Sequence, residues 1–154
     1  MLPGTDALGV KIRGGTTNLE IKLRAGPAEA LILPVAGSGQ LEEWQRWSFS
    51  RPAVSRLLPR LGLPKAGWRA VRKERRLVTI PYQDRDDAGC RVEITALETE
   101  GDHWSTVGFE SFGPEPDLVP ALRAAAERLF DGLEVPGGLG AELSSGYPGW
   151  LATL

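Results

Sequence analysis

Charge and hydrophobicity alternate with a period of two along the first part of the chain, and that period leaves few folds open. Leu8, Val10 and Ile12 fall on one side of an extended segment, with Lys11 and Arg13 on the other. After Gly14-Gly15-Thr16-Thr17, Leu19, Ile21 and Leu23 stand opposite Glu20, Lys22 and Arg24. Two such runs around a Gly-Gly turn predict an antiparallel hairpin with one apolar and one charged face. With 19 Gly and 12 Pro in 154 residues, the chain is rich in turns and short elements, which argues against a helical bundle.

The same reading extends along the chain. Ala28 to Val35 is apolar enough for a third strand, and Gly37-Ser38-Gly39 reads as a loop. The aromatics of Leu41 to Phe49 favour a strand, although Leu41, Trp44 and Trp47 also fit a helical stripe. Ser50 is placed to cap a helix with Pro52 near its start and Val54, Leu57, Leu58 and Leu61 on one face. Trp68 to Ile80 is a long strand candidate with charge on both faces. A polar turn over Gln83 to Gly89 leads to a strand around Arg91, Glu93 and Thr95, and Trp104 to Phe112 is its hairpin partner. Asp117 is the expected cap of the clearest helix, whose stripe is Leu118, Leu122, Ala125, Ala126, Leu129 and Phe130, with Arg123 and Glu127 spaced as an exposed pair. From about residue 133 the tail is Gly-rich, with a final short turn around Trp150 and Leu151. There is no internal repeat and no linker, so residues 1–154 read as a single α+β domain: an antiparallel sheet or barrel with two or three flanking helices.

The formal charge of −2 conceals a segregation. Residues 1–91 hold 16 basic and 9 acidic side chains, while residues 92–154 hold 2 and 11. Fourteen of the 18 basic residues are Arg, the better fork for phosphate or carboxylate. Strand after strand carries cations on one side: Lys11 and Arg13, Lys22 and Arg24 beside Glu20, Lys73 and Arg75, then Arg91 beside Glu93. A solvated face is the ordinary explanation of such alternation. Were the sheet to close, the same residues would line a lumen, and a lumen of like charges needs an anion inside it.

Leu8-Gly-Val-Lys11-Ile-Arg13 followed by Leu19-Glu-Ile-Lys22 is similar to the paired basic strands of the CYTH, or triphosphate tunnel metalloenzyme, superfamily. Val71-Arg-Lys73-Glu-Arg75-Arg resembles that family's mid-domain basic strand. Val92-Glu93-Ile-Thr-Ala-Leu97 with Val107-Gly-Phe109-Glu110 resembles its late acidic hairpin. The resemblance implies an eight-stranded antiparallel tunnel that binds triphosphate-like anions with Mg²⁺ or Mn²⁺. It makes Lys11, Arg13, Lys22, Lys73 and Arg75 phosphate contacts, with Arg24 and Arg91 as further candidates on the same strands. Glu93 and Glu110 become metal-ligand candidates, with Glu20 behind them. The implied function is binding of a phosphorylated small molecule or polyphosphate, with metal-dependent phosphohydrolysis as its catalytic form. The family's opening Glu-x-Glu-x-Lys strand has no counterpart in the sequence, which favours the alternative of a non-catalytic anion-binding or protein-interaction module that lacks the metal site.

Other classes find less support. His103 is the only histidine and no Gly-x-Ser-x-Gly elbow accompanies it. Gly14-Gly15-Thr16-Thr17 lacks the lysine and length of a phosphate-binding loop of the Walker kind. Trp44 and Trp47 flank Arg46 in a pattern that could stack bases, but aromatic pairs on strands are more often core, and nucleic acid is not the expected partner. Cys90 alone excludes an intramolecular disulfide and reads as a packed strand residue. No apolar run reaches the roughly 18 residues of a membrane span, and Met1-Leu2-Pro3-Gly4 lacks a signal-peptide pattern. The expected setting is cytoplasmic.

Overall fold

A computed structural model describes residues 5–12, 18–33, 37–50, 68–133 and 139–154. The described strands are β1 (Leu8–Ile12), β2 (Leu19–Arg24), β3 (Glu29–Leu33), β4 (Gly37–Leu41), β5 (Trp44–Phe49), β6 (Arg72–Tyr82), β7 (Arg85–Thr99) and β8 (Asp102–Phe112). Two helices, α1 (Glu115–Phe130) and α2 (Tyr147–Ala152), accompany them, with a single 3₁₀ turn at Ala141–Leu143. The chain divides into two compact units, one from residues 1–31, 40–70 and 142–154, the other from residues 32–39 and 71–141.

In the first unit β2 lies between β1 and β5, antiparallel to both, with Val10 opposite Ile21 and Ile21 opposite Trp47. The period-two sequence sorts cleanly here. Val10 and Leu19 are buried, with Ile21, Phe49 and Trp68 packed against them, while Lys11, Glu20, Lys22, Arg24 and Arg46 share the other face by register. Gly9 lies on that charged face, and a side chain there would meet the ring of Pro148 at 2.8 Å. The missing Cβ is what lets α2 sit against β1 beside Lys22.

In the second unit β6, β7 and β8 form a meander. Its hairpins turn on Gln83-Asp84 and Glu100-Gly101, all four with positive φ, as tight two-residue hairpins demand. Helix α1 covers one sheet face: Ala125, Ala126 and Phe130 are buried against Cys90, Val92, Val107 and Phe109. Cys90 is the packed strand residue expected, and burial pushes its thiol up to about 11.

Several expectations are corrected. The tunnel is absent: among the described residues the strands fall into separate sheets of three, two and three, and no ladder closes them into a barrel. Alternation shows that a strand has a charged face but is silent on whether that face looks into a lumen, which is why closure could be expected and not obtained. Gly37-Ser38-Gly39 is strand rather than loop: it opens β4, which pairs with β3 in a two-stranded sheet, and the Ser38 amide also donates to the Leu139 carbonyl at 3.1 Å. The segment Leu41 to Phe49 is two strands broken at Glu42-Glu43. The turn after β6 is only Gln83-Asp84. Helix α1 starts two residues before Asp117, on Pro114, and Arg123 donates to the Ile32 carbonyl at 2.9 Å in place of an ion pair with Glu127. The helix expected from Pro52 to Leu61 lies outside the described residues.

Candidate functional site

The charged face of β1–β2–β5 gathers most of the first group of site residues. Lys11 stands opposite Glu20, with Nζ 2.8 Å from Oε2, and the Glu20 side chain is only 8% exposed. One position along, half-buried Lys22 stands directly opposite exposed Arg46. The register thus brings two cations side by side on one face of β2 and β5. Arg24 is used differently. Its guanidinium donates to Asp6 at 2.8 Å and to Glu42 at 3.1 Å, and Trp44 Nε1 donates to the second Glu42 oxygen at 2.9 Å. That network ties β2 to the β5 approach and occupies the fork. Arg13 lies outside the described residues.

The sheet β6–β7–β8 keeps a second charged face, on the side away from α1. By register it carries Lys73 and Arg75 on β6, Arg91, Glu93 and Thr95 on β7, and Glu110 on β8. Thr95, with no exposure, donates to Glu93 Oε1 at 2.7 Å, and Arg75 holds Oε2 at 3.3 Å. Burial opposes ionisation of Glu93, but Thr95, Arg75 and Lys73 together outweigh it and hold the carboxyl below its ordinary range. Arg91 is not part of that cluster. It pairs in register with Glu110 and lies over the Phe112 ring at 4.5 Å, four residues from the Arg75 position, or about 13 Å along a strand.

The depressed Glu93 pKa gives a direct prediction. A carboxylate stabilised this way supports the fold above the unfolded carboxylate range, and the support disappears as pH falls through its folded pKa. Thr95→Val removes the 2.7 Å hydrogen bond to it and should move the Glu93 titration upward, with acid unfolding beginning at higher pH. Carbon NMR titration of the Glu93 carboxyl reads this; an unmoved midpoint would contradict the assigned hydrogen bond.

Two of the three carboxylates proposed as metal ligands are already engaged by other side chains. One Glu20 oxygen is paired with Lys11, and both Glu93 oxygens are engaged by Thr95 and Arg75. Glu110 is the register partner of Arg91. Among the described residues no three His, Cys, Asp or Glu side chains converge. Mg²⁺ or Mn²⁺ prefers oxygen ligands in near-octahedral array, and Glu20 and Glu93 already spend oxygens on Lys11, Thr95 and Arg75. The donor set does not fit a resident divalent ion.

Arg46 is the residue that sequence reasoning left out of the phosphate set, because only the strand register places it opposite Lys22. The Trp44–Trp47 stacking platform does not form: Trp44 shares the charged face and is held by Glu42, while Trp47 is on the apolar face. His103 is exposed at the start of β8, opposite Glu98. Among the described residues no helix is long and apolar enough to cross a membrane. Compared with known proteins, the chain matches no family model, no curated protein and no solved structure.

Proposed function

We propose that this protein binds a phosphorylated anion on the charged face of β1–β2–β5, with Lys22 and Arg46 as the phosphate contacts. The observation that carries the reading is their direct cross-strand opposition. A phosphate at this register position makes two charge-assisted contacts, one of them suited to the planar Arg fork. Pro148 over Gly9 forms a wall beside Lys22. The resemblance of these strands to triphosphate-handling proteins points to the same ligand class. Lys73 and Arg75 are a separate cation pair of similar chemistry in the other unit. The reading is of binding, and no metal is part of it.

Tripolyphosphate titrated by calorimetry in the presence of EDTA tests this. Lys22→Ala and Arg46→Ala should each weaken binding about tenfold, the loss of one hydrogen bond between charged groups. Without ligand, Arg46→Ala, at an exposed strand position, should change stability by no more than about 0.5 kcal/mol. Absence of binding, or affinities unchanged in both variants, would overturn the proposal. So would an equal response to sulfate at matched ionic strength.

A further inference from the structure

Given the anion-binding reading, on which this step rests, we infer that the site on β1–β2–β5 takes one terminal phosphoryl group end-on, and that Pro148 is the residue that sets this preference. Gly9, Lys22 and Arg46 form a single row across the three strands, since Gly9 pairs with Lys22 and Lys22 with Arg46. A Cβ at Gly9 would lie 2.8 Å from Pro148 Cγ and 3.9 Å from Lys22 Cβ, so the buried Pro148 ring occupies the β1 end of the row. That end is closed. At the other end Arg46 is exposed on β5, which pairs only with β2 among the described residues. The segment that carries Pro148 closes a second side. A Cβ at Gly146 would lie 3.0 Å from Trp44 Cζ2 and 2.9 Å from Glu42 Oε2, and Trp44 is the register partner of Arg24. Gly146 therefore stands against β5 at the Arg24 row, and Pro148, two residues on, against β1 at the Lys22 row. The chain between them crosses β2 between Arg24 and Lys22.

Charge limits the ligand as well. On one neighbouring row Lys11 is paired with Glu20, and on the other Arg24 is held by Asp6 and Glu42. Each of those rows has its one cation committed to carboxylate. A second phosphate laid along β2 would meet those carboxylates, with no cation left to receive it. The shape and the charge select the same ligand. A terminal phosphoryl group has three free oxygens and one bridge, so it can turn the free oxygens to Lys22 and Arg46 and send the bridge out over β5. A phosphorus with two bridges finds an exit for only one of them, because Pro148 stands where the other would leave.

The test uses the full chain with linear tripolyphosphate and with cyclic trimetaphosphate, in which every phosphorus carries two bridges. Calorimetry in the presence of EDTA should show tripolyphosphate favoured by about tenfold, the discrimination a close-fitting wall provides. Pro148→Ala, a substitution that a helix accepts, should reduce that ratio about fivefold by admitting trimetaphosphate. The charge difference between the two ligands is common to both proteins and cancels in the comparison. Phosphorus NMR of tripolyphosphate with the parent protein should broaden the terminal resonance more than the central one, a readout that needs no variant. Equal affinities in the parent, an unchanged ratio in Pro148→Ala, or stronger broadening of the central phosphorus would overturn the end-on site and leave anion binding in place. Absence of tripolyphosphate binding would overturn both.

Discussion

Replacing Phe130 by alanine is expected to destabilise the protein by about 3–5 kcal/mol, the range for emptying an aromatic site in a packed core. Phe130 is 5% exposed at the last turn of α1, packed with Phe109 at a ring separation of 6.0 Å and with Leu33, Val107 and Leu139 nearby. The other buried residues on this stretch of α1 are Ala125 and Ala126, too small to fill the space that Phe130 would vacate. Urea unfolding with a probe in the β6–β7–β8 unit measures the loss, and hydrogen exchange at the Cys90 and Val92 amides should accelerate with it. Leu133→Ala, just beyond the helix and mostly exposed, serves as the control and should change stability by no more than about 0.5 kcal/mol. A Phe130→Ala loss below about 1 kcal/mol would mean that α1 is not anchored through this ring.

The stripe that contains Phe130 was legible because a helix of sixteen residues repeats its pattern several times. The start of that helix was not. Asp117 has the chemistry of a cap, but Arg85 donates to its carboxylate at 2.8 Å and to Asp87 at 2.9 Å, so the acid serves a hairpin more than thirty residues away in sequence. Pro116 in the first turn needs no amide partner there, which lets the helix begin earlier. Strand β4 was hidden for a related reason. Gly37-Ser38-Gly39 has no side-chain alternation, so its backbone pairing with β3 and its contact with Leu139 leave no mark in the sequence.

The candidate site divides along the same line. Which residues share a face follows from period two, so Lys11, Glu20, Lys22 and Arg24 could be grouped from sequence, as could Lys73 with Arg75. What each then does depends on register. Arg24 and Lys22 look equivalent as letters, yet one is clamped between two carboxylates and the other faces Arg46. Glu93 looked like a metal ligand until Thr95 and Arg75 took its two oxygens. Sheet closure is likewise a matter of pairing between distant strands, and the charged faces of two open sheets have the same sequence signature as the lining of a tunnel.

Gly113→Val should be as damaging as the loss of Phe130, through backbone geometry instead of packing volume. Gly113 joins β8 to α1 with a φ of +128°, in a region essentially reserved for glycine. A Cβ there would also lie 2.8 Å from the Ala88 Cβ and 3.1 Å from the Asp87 carbonyl oxygen. Those residues are fixed because β7 carries an irregularity at this point: Tyr82 pairs with Arg85 while Pro81 pairs with Gly89, which leaves Asp86, Asp87 and Ala88 outside the ladder. Strain and overlap each amount to about 1–3 kcal/mol, so a combined loss of about 3 kcal/mol or more is expected. Ala88→Gly in the same chain removes the Cβ contact but leaves the Ala88 Cα at 2.9 Å, the Asp87 oxygen and φ unchanged, so the double variant should recover only part of the loss, visible as coupling in a double-mutant cycle. Glu93 offers an internal control on the opposite face of the sheet. Its depressed pKa should persist in the folded fraction of Gly113→Val, because Thr95 and Arg75 do not depend on where α1 begins. Full recovery by Ala88→Gly would show that the Ala88 Cβ contact alone is responsible, and a change below about 0.5 kcal/mol on Gly113→Val would remove the strained junction from the account of the fold.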